Sequence, residues 1–193
     1  GASFAYFKDN QWTEVYLGQS DPEKGLETEA GLVYDLASVS KVVGVGTVFI
    51  FLWEKGQLDI DRPVTDFLPE SDYPDITIRQ LLTHATNLDP FIPNRDLLTA
   101  SELKEAMFHL NRRNQPAFLY SDVHFLLLGF ILERIFDQDL DVILQEQVWK
   151  PWEMTETQFG PVGLAVPTVR GVEAGMVHDP KARLLGRHAG SAG

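Results

Sequence analysis

Ser38 and Lys41 stand three residues apart in the stretch Tyr34-Asp35-Leu36-Ala37-Ser38-Val39-Ser40-Lys41. On a helical backbone that spacing puts the hydroxyl and the amine on one face. A serine alcohol is a poor nucleophile at neutral pH unless a base lies within hydrogen-bond reach, and a desolvated lysine, in which burial favours the neutral amine, can be that base. The two residues are therefore a candidate nucleophile and its base. Spacing alone is weak, because Ser101-Glu102-Leu103-Lys104 repeats it at the start of an ordinary surface-type helix, where it reads as structure. Context separates the two: strand-like sequence precedes Ser38, and the almost wholly apolar run Val42 to Trp53 follows Lys41. A second constellation is Tyr120-Ser121-Asp122, ahead of His124 and Leu126-Leu127-Leu128-Gly129. Ser121 or Asp122 suits a helix N-cap. A tyrosine just before such a start can project into a cleft, and near an ammonium a phenol ionises more readily and can relay protons. Tyr120 is thus a candidate acid or base.

The elements that must hold these groups follow from pattern. Ser3 to Phe7 and Trp12 to Leu17 flank Asp9-Asn10, turn chemistry for a tight hairpin. Asp21 to Ala30 reads as a solvated loop and Leu32 to Leu36 as a short extended segment that delivers Ser38. One helix is predicted from about Ser38 to Lys55-Gly56, with Gly44 and Gly46 inside it as points of close backbone packing. A Pro- and Asp-rich connection runs to Pro74. Thr77 then caps a short helix through Leu82, Thr99 with Glu102 forms a capping box ahead of Leu103 to Leu110, and Asp122 to Phe136 and Leu140 to Val148 read as amphipathic helices. Recurring Gly and Pro after Pro151 predict long ordered loops with at most short strands.

Composition narrows the classes of function. The 193 residues are 44% hydrophobic and 23% charged, enough to bury a core, and the formal net charge of −12 with scattered basic residues argues against nucleic acid as a partner. With no cysteine, disulfides, thiolate metal sites and cysteine nucleophiles are excluded. The five histidines do not fall at zinc-ligand spacings such as His-Glu-x-x-His, so no metal and no cofactor is expected. His84 is expected to cap or pack, His109 to lie on a partly exposed face, and His178-Asp179 to hold loops together. Trp53, Trp149 and Trp152 are expected in the core or between lobes. The run Val42 to Trp53 is shorter than the ~20 residues of a membrane span and reads as core. No basic segment with an apolar core opens the sequence, so a secretion signal or anchor is expected outside these residues.

Four segments, in this order and rough spacing, resemble the penicillin-recognising serine hydrolases: Ala37-Ser38-Val39-Ser40-Lys41; Thr77-Ile78-Arg79-Gln80-Leu81-Leu82-Thr83-His84; Tyr120-Ser121-Asp122 with Leu127-Leu128-Gly129; and Val177-His178-Asp179 with Ala182. They are most similar to the branch holding class C β-lactamases, low-molecular-weight penicillin-binding proteins and related esterases. The resemblance implies an α/β two-lobed β-lactamase/transpeptidase-like fold, with an antiparallel sheet lobe, incomplete here, and a helical lobe. Residues 1–193 would form a single domain, with the strands and nucleophile helix in 1–60 and a mainly helical lobe with long C-terminal loops in 61–193. It also implies that Ser38 is the nucleophile, Lys41 its proton acceptor, Tyr120 the group that passes the proton to the leaving group, and Asp122 with Ser121 the substrate-binding pair in the cleft. Asp122 departs from the commoner asparagine. A carboxylate there favours the charged form of a neighbouring amine and accepts where an amide would donate.

The resembling family closes its site with a Lys-Thr-Gly or His-Thr-Gly element on an edge strand whose backbone N–H supplies half of the oxyanion hole, and neither triplet occurs in this sequence. The last stretch, Ala189-Gly190-Ser191-Ala192-Gly193, is similar to a small-residue segment that lies well before the family's C-terminus, with Ser191 where a histidine is often seen. The chain is accordingly expected to be a fragment, a processed half or one piece of a larger assembly. An incomplete sheet would invite self-association or a complementing C-terminal fragment. What the resemblance implies for function is a serine acyl hydrolase that forms a Ser38 acyl-enzyme with a small-molecule or peptide substrate: a β-lactam, a D-alanyl peptide or an ester. The alternative is a non-catalytic binding or assembly module that keeps the scaffold without that wall. Many resembling proteins are extracytoplasmic.

Overall fold

The computed structural model describes residues 1–115, 117–163, 165–168 and 173–192. Strands β1 (Ala2–Lys8) and β2 (Gln11–Leu17) pair antiparallel, from Ala2 opposite Leu17 to Lys8 opposite Gln11. Asp9 and Asn10 both take left-handed backbone, at φ 50 and 62, the primed turn that matches strand twist. Phe4, Tyr6, Phe7 and Trp12 are exposed, and among the described residues this sheet has two strands. The segment expected as a plain acidic loop instead carries a second small ribbon, β3 (Gln19–Asp21) with β4 (Leu26–Glu27), closed when the Ser20 hydroxyl donates to the Glu27 carbonyl. Leu32 to Leu36 runs as irregular backbone rather than a strand, with the Val166 amide donating to the Val33 carbonyl at 2.8 Å.

The helix predicted from Ser38 exists, but in three geometries. A tight 3-10 turn over Ala37–Val39 passes into a wide π-helical stretch over Lys41–Gly46 and then into α1 (Thr47–Glu54), which stops before Gly56 at φ 64. Widening changes which carbonyls lack helix partners. Two are met by side chains: Thr47 Oγ1 donates to Val42 O at 2.6 Å, and Trp149 Nε1 to Val43 O at 3.2 Å. Gly44 packs closely, as expected, but against a side chain: a Cβ there would sit 2.8 Å from Leu144 Cδ1. The whole segment Ala37–Glu54 is long and apolar enough to cross a membrane by length and composition, longer than the Val42 to Trp53 run suggested. In this fold Lys41, Val45, Val48 and Phe49 from it are buried in the protein, while Val42, Ile50 and Trp53 face outward.

Helices α2 (Ile78–Leu82) and α3 (Ala100–Phe108) start with the two capping boxes, Thr77 with Gln80 and Thr99 with Glu102. Helix α4 (Asp122–Phe136) is the central post, with every residue from Val123 to Leu132 buried. Burying a large apolar side chain contributes roughly 1.5–3 kcal/mol, so the register of α4 is firmly set, and Asp122 at its first turn inherits that rigidity. Helix α5 (Leu140–Leu144) runs on into a π turn over Gln145–Trp149. Helix α6 (Pro180–Leu185) stands where loops were expected; Asp179 caps it by accepting from Ala182 N at 2.8 Å, with Pro180 at its first position. That Asp-Pro start was a readable helix signal. Of the three tryptophans expected inside, only Trp149 is buried. Trp53 and Trp152 are each half exposed, Trp152 lying edge-on to Phe51 at 5.9 Å on the outer face.

Candidate active site

Ser38 sits in the 3-10 turn directly after Ala37, whose φ of 46 is left-handed. A left-handed non-glycine residue costs about 1–2 kcal/mol, and Asp35 braces it. One Asp35 carboxylate oxygen accepts from Ala37 N at 2.7 Å and the other from His178 N at 3.0 Å, which ties the turn to the segment before α6. The brace presents Ser38 at the surface, while Lys41, one turn on, is 3% exposed.

Lys41 Nζ has three oxygen partners. It lies 2.9 Å from Ser38 Oγ, 2.8 Å from Asp122 Oδ1 and 2.9 Å from the Ser191 carbonyl oxygen. The Tyr120 ring completes the surround, its centroid 5.1 Å from Nζ. Three of the residues singled out in the sequence, Ser38, Lys41 and Asp122, thus meet through direct bonds, and Tyr120 enters through its ring, half exposed. Burial pushes the Asp122 carboxyl upward, but the bond and charge of Lys41 and then of Lys181 outweigh it, so its pKa lies below the usual value. Ser121 fills the N-cap expected of it and not the substrate-binding role that the resemblance implied: it is 4% exposed, and its hydroxyl oxygen accepts from Val123 N at 3.2 Å at the start of α4.

Behind Tyr120 lies a buried histidine pair. His84 takes the left-handed position after α2, at φ 55, and packs its ring 4.7 Å from that of Tyr120. Its Nδ1 is 2.9 Å from His124 Nδ1 and also receives the Ser121 amide at 3.4 Å; His124 Nε2 is 2.8 Å from Thr86 Oγ1, which accepts from Leu88 N. A backbone amide can only donate, so the Ser121 N–H makes His84 Nδ1 an acceptor; with His124 neutral, His124 Nδ1–H then donates to His84 Nδ1 and Thr86 O–H to His124 Nε2. Burial, then the neighbouring His84 and Arg113 charges, pushes His124 down to about 4, and burial followed by the Lys41 charge also lowers His84. His109 lies outside this cluster, exposed, between Asp72 and Glu105. His178 contributes its backbone amide and Asp179 its cap, so both hold segments together.

Four participants were missed at the sequence level: Asp35, Lys181, the Ser191 carbonyl and His124. Asp35 and His124 stand within the quoted stretches. Lys181 lies between the quoted Asp179 and Ala182, and Ser191 in the last quoted stretch, but no local spacing ties either to Lys41. A cavity of about 290 Å³ lies beside the segment that carries Ser38, lined by Tyr34, Leu36, Ser40, Trp149, Phe159 and Val177, and neither Ser38 nor Lys41 lines it.

The family model described as Beta-lactamase matches residues 1–193. The chain belongs to the β-lactamase family. That family is one of serine hydrolases, as the four ordered segments implied. Among curated relatives, the "Putative D-alanyl-D-alanine carboxypeptidase" of Escherichia coli (strain K12) is 29% identical over 91% of this chain and 49% of its own length. The chain therefore spans about half the length of the curated relatives it matches. Among solved structures, FmtA from Staphylococcus aureus superposes with a TM-score of 0.70 at 17% identity, over 98% of this chain and 56% of that one. A penicillin binding protein from Bacillus halodurans gives 0.69 at 19% identity, covering 88% and 55%. A class C β-lactamase from Rhodobacter sphaeroides gives 0.67 at 19% identity, covering 97% and 55%. At these identities the structures establish the β-lactamase/transpeptidase fold, of which the hairpin and helices described here form part.

Proposed function

We propose that this chain carries the nucleophile half of a serine acyl hydrolase that acts on a β-lactam, a D-alanyl peptide or an ester. The observation that carries the reading is the 2.9 Å contact between Ser38 Oγ and the buried Lys41 Nζ, itself held by Asp122 and the Ser191 carbonyl. When Lys41 is neutral, its lone pair takes the Ser38 proton as Oγ bonds to the substrate carbonyl carbon. The carbonyl C–N or C–O bond then breaks, the leaving group takes up a proton relayed by Tyr120, and water resolves the acyl-enzyme by the reverse path. The relatives named as carboxypeptidases favour a D-alanyl peptide among the three substrates.

A non-catalytic binding or assembly module is the second reading, favoured by the β1–β2 hairpin, whose aromatic residues are exposed. The exposed hairpin and the outward Val42, Ile50 and Trp53 would then serve self-association or a complementing C-terminal segment. Intact-mass measurement after incubation with a fluorophosphonate and, separately, a penicillin decides between the two readings, with Ser38→Ala as control. A single adduct that Ser38→Ala abolishes supports the hydrolase. No adduct from either reagent refutes an acyl-transfer site in this chain and leaves the module.

A further inference from the structure

Asp122 serves two cations. Its Oδ1 meets Lys41 Nζ at 2.8 Å, and its Oδ2 lies 3.3 Å from Lys181 Nζ. Lys181 comes from the first turn of α6, with a side chain only 13% exposed, and is held by Asp179 Oδ2 at 3.1 Å. The other Asp179 oxygen is occupied by the Ala182 amide. Lys41, Asp122, Lys181 and Asp179 thus form a ladder of alternating charge that joins the nucleophile helix, α4 and α6.

On the reading that Lys41 is the base for Ser38, we infer that Lys181 is a positioning residue: it shares the Asp122 carboxylate, so that Lys41 is oriented by that carboxylate and can still give up its proton. An unshared carboxylate beside an amine favours the charged amine, and a second cation on the same carboxylate works against it. A base has to be neutral when it acts. With Lys181 present, loss of the Lys41 proton leaves Asp122 still paired; without it, the same loss strands a half-buried carboxylate with no cation. The other groups around Lys41 do not supply this balance. Tyr120 presents its ring, His84 behind it is kept neutral near pH 7 by burial, Ser191 offers a carbonyl, and Asp35 is engaged by the Ala37 and His178 amides. Asp179 stands one link farther from Lys41, beyond Lys181.

The test follows the rate of fluorophosphonate adduct formation by intact mass from about pH 6 to about pH 10, for the chain itself, Lys181→Met and Lys181→Arg. In the reaction, Ser38 Oγ bonds to phosphorus, fluoride leaves and the hydroxyl proton passes to Lys41 Nζ. The acid limb of Lys181→Met is expected to move to higher pH by about one unit, while Lys181→Arg, which keeps the cation, tracks the parent. A merely structural lysine would lower thermal stability and leave the limb in place. A folded Lys181→Met with an unmoved limb overturns the inference, as does Lys181→Arg shifting as far as Lys181→Met. Should Lys181→Met not fold, Lys181→Gln replaces it under the same criterion. Absence of any Ser38-dependent adduct in the parent chain overturns the Lys41 reading itself, and the role of Lys181 with it; a parent adduct with unmoved variants overturns the Lys181 role alone.

Discussion

Lowering the pH should destabilise this fold through one histidine before it touches the carboxylates. His124 is 1% exposed and lies between Thr86 and His84, with both ring nitrogens engaged. A proton added at Nε2 would face the Thr86 hydroxyl hydrogen, and one added at His84 Nδ1 would face two N–H groups. The folded pKa of about 4 lies below the unfolded 6.5, so between those values the unfolded chain binds more protons. The contribution is fully present above 6.5, declines as pH falls and is lost through about 4. At about 1.4 kcal/mol per unit, the interval amounts to about 3 kcal/mol, a large share of the 5–15 kcal/mol typical of a domain. His84, also lowered, adds with the same sign, and Asp122, lowered from 3.8, acts only at still lower pH. His109 is raised, chiefly by its bond to Asp72, and has the opposite sign; it is exposed, and its effect is correspondingly small. Urea denaturation of the parent and of His124→Gln, which keeps a donor and an acceptor without titrating, should show the parent losing about 2.5 kcal/mol more than the variant between about pH 7.5 and about pH 4.5. Parallel losses in the two proteins would refute the argument, as would a His124 imidazole that titrates near 6.5 by NMR.

Asp35→Ala removes the acceptors of two backbone amides and frees the left-handed Ala37 turn, for an expected loss of about 2 kcal/mol and a fall of about tenfold in Ser38 labelling; an unchanged labelling rate would mean that the turn holds Ser38 without its brace. Gly190→Ala would drive a Cβ into the Phe125 carbonyl oxygen, with Val45 Cγ2 at 3.1 Å and Gly129 Cα at 3.2 Å. An expected cost of about 2–3 kcal/mol is readable as a lower urea midpoint, and an unaltered midpoint would show that the two glycine backbones do not need to touch.

What could be read from the sequence alone was local. The Asp9-Asn10 turn, the Thr77 cap, the Thr99 capping box and the meeting of Ser38 with Lys41 all depend on atoms within a few residues, where bond geometry leaves few options. The Asp-Pro cap of α6 is equally local, but the glycine and proline around it signal loop. The ordered motifs pointed to the family, which the match over residues 1–193 establishes. The remaining features of the site depend on packing. Asp122 reaches Lys41 across 81 residues, the Ser191 carbonyl reaches it across 150, and Asp35 clasps His178 across 143. Such contacts exist only once α4, its buried stretch fixing its rotation, sets Asp122 beside the nucleophile helix, and once the close approach of Gly129 and Gly190 lets the last segment in. The same packing turned Ser121 inward as a cap and placed Lys181 on the far oxygen of Asp122. Residue types and short spacings therefore determined which groups could do chemistry, and the tertiary fold decided which of them share a charge, because electrostatic partnership depends on distance in space and not along the chain.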